Sequence, residues 1–110
     1  MKNIFACIIV SFSICHAHAT DFNFTGQEYP PYQWEENGKV VGLFPEVITE
    51  VCKKMKANCN FQIVPLIRAI KELENGDVDA LMSFIKNKDR EKFANFTSPI
   101  ALSGKAYFLR

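Results

Sequence analysis

The chain has 110 residues, 48% hydrophobic and 23% charged. That allows one small domain at most and excludes disordered, collagen-like and coiled-coil classes. The formal net charge is +1 with no cluster of Lys and Arg, which excludes nucleic-acid binding, because phosphate contacts need gathered cations.

Residues 1–19 read as a cleavable signal peptide. Lys2 supplies the positive start, Ile4 to Ile14 the apolar stretch, and Ala17-His18-Ala19 the small side chains before a cut after Ala19. The apolar stretch falls short of the roughly 20 residues that span a bilayer. The expected location is therefore the periplasm. His16 and His18 leave with this leader. A mature chain without histidine has no Ser-His-Asp triad or Cys-His pair and lacks most zinc chemistry. No catalytic residue, metal site or cofactor is expected.

Cys52 and Cys59 remain after cleavage. An even pair in an oxidising compartment implies a disulfide. A loop this short gives about 2 to 3 kcal/mol in the chain-entropy model. The spacing fits neither a C-x-x-C redox motif nor a zinc knuckle.

Asp21 to Phe24 alternates and predicts a first strand. A loop with Tyr29, Pro30, Pro31, Tyr32 and Trp34 follows, since two prolines forbid a helix. Asn37-Gly38 marks a turn, and Val40-Val41 a short extended piece. Leu43, Phe44, Val47, Ile48, Val51, Cys52 and Met55 recur at helical spacing and predict a helix ending near Ala57-Asn58. Phe61 to Val64 predicts a second strand. Pro65 to Glu74 predicts a second helix stopped by Gly76. Val78 to Ile85 is apolar enough for a central parallel strand buried on both faces. Asp89 to Phe93 predicts one helical turn, with extended segments at Phe93 to Phe96 and Ala106 to Leu109. The order strand, helix, strand, helix, strand is α/β architecture with a mostly parallel sheet and flanking helices.

Open α/β sheets bind ligands beyond the carboxyl ends of their strands. Tyr29, Tyr32 and Trp34 follow the first strand, Arg68 the second, and Ser83, Phe84 and Arg90 the third. Aromatic faces, a hydroxyl and a planar guanidinium fork suit a small zwitterion or organic acid. Each also has a structural reading. The aromatics can pack their own loop, and Arg68 can pair with Glu72 at i+4 for about 0.3 to 0.5 kcal/mol. Ser83 can bond to backbone, and Arg90 can be a solvated charge.

The chain resembles the family 3 extracellular solute-binding proteins, which serve amino-acid ABC importers. The likeness runs through Tyr29-Pro30-Pro31-Tyr32, Gly38 to Val47 and Cys52. It continues through Gly76-Asp77-Val78-Asp79-Ala80-Leu81-Met82-Ser83, Asp89-Arg90 and Phe96-Thr97-Ser98-Pro99. It implies the first lobe of a two-lobe periplasmic-binding-protein-like fold, incomplete, with residues 20–110 as the N-terminal part of a solute-binding domain and the second lobe absent. It further implies that Tyr29 stacks on the solute, Ser83 donates to it, and Arg90 holds its α-carboxylate, while Asp79 is structural. The Cys52–Cys59 spacing resembles a disulfide of the branch that binds basic amino acids and histidine.

The sequence departs from that pattern at Phe84 to Asp89, which lacks the threonine that precedes the arginine in many members and is one residue shorter. Pro65-Leu66-Ile67-Arg68-Ala69 resembles a different branch of the family. The implied partners are a small-molecule solute and an inner-membrane ABC permease, with a monomeric full-length protein. A lone first lobe leaves a solute open to water, so this chain by itself is expected to bind weakly or not at all. The alternatives are a sensing input domain of a longer receptor, or a periplasmic dehydratase or lytic enzyme of the same fold. The enzyme reading lacks a recognisable acid–base pair.

Overall fold

The structure is a computed structural model that describes residues 19–102. Most of the expected leader and the segment Ala106 to Leu109 lie outside the described residues. Strand β1 (Asp21–Gly26) is followed by a hairpin of β2 (Trp34–Glu36) and β3 (Lys39–Val41). Helix α1 (Leu43–Met55), strand β4 (Asn58–Ile63), helix α2 (Leu66–Asn75) and strand β5 (Ala80–Leu81) come next. A 3-10 turn at Arg90–Lys92 closes the series.

The three-stranded sheet has the order β4-β1-β5 and both pairings are parallel. The chain steps from β1 to one neighbour, then back across β1 to the other. Right-handed crossovers in opposite directions must put their helices on opposite faces. The side chains agree. Cys59 of β4 is disulfide-bonded to Cys52 of α1, while Gln62 of β4 donates to Glu72 of α2 at 2.7 Å. An odd separation along a strand places those two residues on opposite faces.

One face of the β1–β4 pair is apolar. Phe24 and Phe61 sit in register and stack at 5.4 Å between ring centroids. The other face is polar, with Asn58 donating to Asp21 at 2.8 Å and Asn60 to Asn23 at 3.1 Å. α2 reaches only its far end, where Thr25 is fully buried. β5 is held to β1 by Asp79, whose backbone donates to the Asn23 carbonyl and whose carboxylate accepts from the Asn23 N–H, at 2.9 and 2.8 Å.

Both helices end in a left-handed residue, Lys56 (φ 55) and Gly76 (φ 77), with the next amide reaching back to Cys52 and Glu72 carbonyls respectively. This satisfies carbonyls that the helix leaves over. The disulfide has a Cα–Cα separation of 6.2 Å and ties the end of α1 to β4.

Three expectations change. The apolar run Val78 to Ile85 yields a strand of only Ala80–Leu81, at an edge rather than the centre among the described strands. Val78 and Met82 are buried, but Ser83 turns into the left-handed region (φ 57) and ends the pairing. Phe93 to Phe96, expected to be extended, form no strand. The apolar positions of α1 split into two rows: Phe44, Ile48 and Cys52 face inward, while Leu43, Val47, Val51 and Met55 are exposed.

Gly42 positions α1. Its φ is 122, and a Cβ there would lie 2.5 Å from the Tyr32 carbonyl oxygen. Gly42→Ala is expected to lower stability by about 2 to 4 kcal/mol, from backbone strain plus a forced shift of the loop. Gly38→Ala meets nothing within 4 Å at φ 75, and should cost only about 1 kcal/mol. Urea unfolding midpoints of the two variants check this.

Candidate functional site

The reversal of strand order makes the gap between β1 and β5 a topological switch point, where open sheets leave a crevice beyond the strand ends. Four segments meet there: the exit of β1 at Gly26-Gln27, the loop Tyr29 to Gln33, the N-terminus of α1, and Met82-Ser83 after β5.

The loop is closed on itself. Tyr29 N–H donates to the Gln33 carbonyl at 2.7 Å, and Gln33 N–H to the Tyr29 carbonyl at 3.1 Å. It is also bound to α1, whose Leu43 and Phe44 amides donate to the Pro31 and Tyr32 carbonyls at 3.4 and 3.0 Å. These are two of the amides that the first turn of a helix leaves without partners. The loop consumes them, so the α1 terminus is not a free anion site.

Gln33 carries the arrangement and was not singled out from the sequence. It is fully buried. Its Nε2 donates to the Gln27 carbonyl at 2.9 Å, and its Oε1 accepts from the Ser83 hydroxyl at 3.0 Å. Gly26 makes the room: a Cβ there would lie 2.6 Å from Gln33 Nε2 and 3.4 Å from Met82 Cβ. The left-handed backbone of Ser83 costs a non-glycine residue roughly 1 to 2 kcal/mol, which the bond to Gln33 offsets in part. No local sequence signal marks it, because its neighbours Gly26 and Gly42 come close only in the folded chain.

The aromatics form a short stack. Tyr29 and Tyr32 lie 5.2 Å apart, and Tyr32 and Phe44 5.5 Å. Tyr29, at its end, is 47% exposed and offers a ring face. Trp34 instead pairs with Val41 in the hairpin. Phe84 stacks on Phe96 at 6.0 Å, and the Arg90 guanidinium lies over the Phe84 ring at 4.0 Å. Arg90 Nη1 donates to the Ile85 carbonyl at 2.8 Å, and its backbone N–H donates to Asn87 Oδ1 at 2.8 Å. The Phe84 ring and the Ile85 carbonyl thus hold the guanidinium, and among the described residues most of its five donors are uncommitted. Arg68 bonds Glu72 at 2.7 Å, the i+4 pair. The structure therefore brings Tyr29, Tyr32 and Ser83 together through Gln33, and Phe84 with Arg90. It joins Trp34 and Arg68 to neither group. Among the described residues no group of three His, Cys, Asp or Glu side chains could hold a metal ion.

Residues 23–110 match the bacterial extracellular solute-binding proteins, family 3. The chain belongs to that family. An arginine-binding periplasmic protein of Mannheimia haemolytica is 28% identical over 109 residues, covering 97% of this chain and 44% of that protein. A probable amino-acid-binding protein of Bacillus subtilis, YxeM, is 33% identical over 81 residues, covering 73% of this chain and 30% of that protein. A solved periplasmic binding protein of Salmonella typhimurium, described for its high arginine specificity, superposes with a TM-score of 0.67 at 28% identity. That match covers 74% of this chain and 38% of the other. The chain spans less than half the length of these relatives. The fold is that of a partial lobe of a periplasmic binding protein.

Gln33→Met keeps the volume but leaves the Gln27 carbonyl and the Ser83 hydroxyl without partners. It is expected to cost about 1 to 3 kcal/mol of stability, whereas Arg68→Ala should cost no more than about 1 kcal/mol, because Arg68 is exposed and the mostly buried Glu72 keeps its bond from Gln62. Thermal or urea unfolding of the two variants checks the ranking.

Proposed function

We propose that this chain is the N-terminal part of a periplasmic solute receptor that captures a small polar solute, an amino acid or related organic acid, for ABC-type import. L-arginine is the first solute to try, since relatives in this family are described as binding it. The observation that supports the reading is a pair of groups after the strands: Tyr29, with an exposed ring face, joined to Ser83 through Gln33, and Arg90 held on Phe84 in the loop that follows Ser83.

In this reading residues 1–19 are removed after Ala19 and residues 20–110 form part of one lobe. Tyr29 stacks on the solute and Arg90 takes its carboxylate as a two-point contact. Tyr32 and Phe84 support those two groups from behind. Arg68 and Trp34 stand at the margin. In this reading the protein binds its solute without transforming it, as the solute-binding family to which it belongs suggests. The exposed row Leu43, Val47, Val51 and Met55 supports a larger whole, because later parts of a complete lobe can cover it. The partners are the solute and an inner-membrane permease, and the whole receptor is a monomer.

The test starts with the protein that cells export. Its intact mass is measured first, and it is then titrated calorimetrically with L-arginine and other amino acids. Micromolar or tighter binding of one of them is expected, with Arg90→Ala weakening it at least tenfold. Failure to bind any amino acid or organic acid would reject the receptor reading. Residues 20–110 alone should bind no tighter than about millimolar, since one wall leaves the solute wet.

A further inference from the structure

Gln33 has two polar ends and both are assigned by their neighbours. The Gln27 carbonyl only accepts, so the end of the amide facing it at 2.9 Å must be Nε2. That turns Oε1 towards Ser83. The Ser83 hydroxyl owns a single proton, and it gives that proton to Oε1 at 3.0 Å. What remains on Ser83 Oγ is acceptor capacity alone. Gln33 cannot flip without setting its NH2 against the hydroxyl and its oxygen against the Gln27 carbonyl. Its complete burial keeps water from substituting for either partner. Ser83 itself is only half-buried, and among the described residues no donor is bonded to its oxygen.

We infer that Gln33 is a positioning residue that makes Ser83 an acceptor and reserves that corner of the site for a cationic N–H group of the solute. This rests on the solute-binding reading above, and it reverses the donor role that the family resemblance assigned to Ser83. A carboxylate placed at Ser83 would set lone pairs against lone pairs. The carboxylate of a zwitterion is left to Arg90, whose guanidinium carries the donors.

The test uses the full-length exported protein, with L-arginine and agmatine as probes, titrated to high millimolar concentration and followed by NMR. Agmatine keeps both N–H groups of arginine and lacks the carboxylate. Ser83→Ala should weaken both probes by the same factor, about tenfold. Gln33→Met should weaken both similarly and add little in the Ser83→Ala background, because the two residues act as one unit. A purely structural Gln33 would add independently. In the unliganded protein the Gln33 side-chain amide should be protected from solvent exchange and shift in Ser83→Ala, a signal that needs no ligand. Loss of arginine binding alone, with agmatine unaffected by Ser83→Ala, would overturn the inference. An unprotected Gln33 amide would overturn it as well. A protected amide in the wild-type full-length exported protein that binds neither probe would instead bring down the solute-site reading, and this assignment with it.

Discussion

A primary amide shut away from water must place a donor and an acceptor at the same time, and few positions in a small fold offer both. Gln33 meets that condition between the Gln27 carbonyl and the Ser83 hydroxyl. The rest of the strand-end region depends on it. Gly26 has to be glycine because Gln33 Nε2 occupies the space a side chain would fill. The backbone exchange between Tyr29 and Gln33 fixes the loop that presents Tyr29. Ser83 holds an unfavourable backbone conformation with the amide as its partner. An apolar residue at 33 would fill the same volume and leave every one of these segments free to choose another arrangement.

The second constraint is topological. Stepping from β1 to β4 and back to β5 forces α1 and α2 onto opposite faces, and the two faces are built for different neighbours. The α1 side carries phenylalanines and the disulfide. The α2 side is polar along Asp21, Asn23, Asn58 and Asn60, whose side chains bond one another across the strands. The same step opens a crevice beside β1. The loop after β1, anchored on the first amides of α1, can only lie across that crevice. Site and fold are thus consequences of one reversal in strand order.

The elements with strong local signals were readable from sequence. The alternation of Asp21 to Phe24, the spacing of α1, and Gly76 after α2 all mark structure that local physics determines. β5 was not readable at its true length, because an apolar run from Val78 to Ile85 says nothing of the left-handed turn at Ser83. The end of α1, expected near Ala57-Asn58, comes slightly earlier at Met55, because Lys56 takes a conformation that glycine usually takes. The two rows of α1 look identical in sequence, and only packing separates Phe44 from Leu43. Gln33 was hidden for a sharper reason. Between Tyr32 and Trp34 a polar residue reads as the solvent side of an alternating segment, whereas the structure buries Gln33 completely and leaves Tyr29 half exposed. Burial of a polar side chain depends on partners far along the chain, and Ser83 is distant from Gln33 in sequence.

Under the proposed reading, Tyr29 and Arg90 show how an open site can still be organised. Arg90 commits one guanidinium N–H to the Ile85 carbonyl and rests its plane on Phe84. An arginine held in this way loses little further rotamer freedom when it meets an anion. Tyr29 is likewise braced from behind by Tyr32 and Phe44, with its outer face bare. Both groups are ordered before a solute arrives, yet neither is enclosed. Pre-ordering lowers the entropic cost of binding, while enclosure supplies the desolvation that turns contacts into affinity. Under the proposed reading the chain supplies the first of these, and a second wall facing Tyr29 has to supply the other.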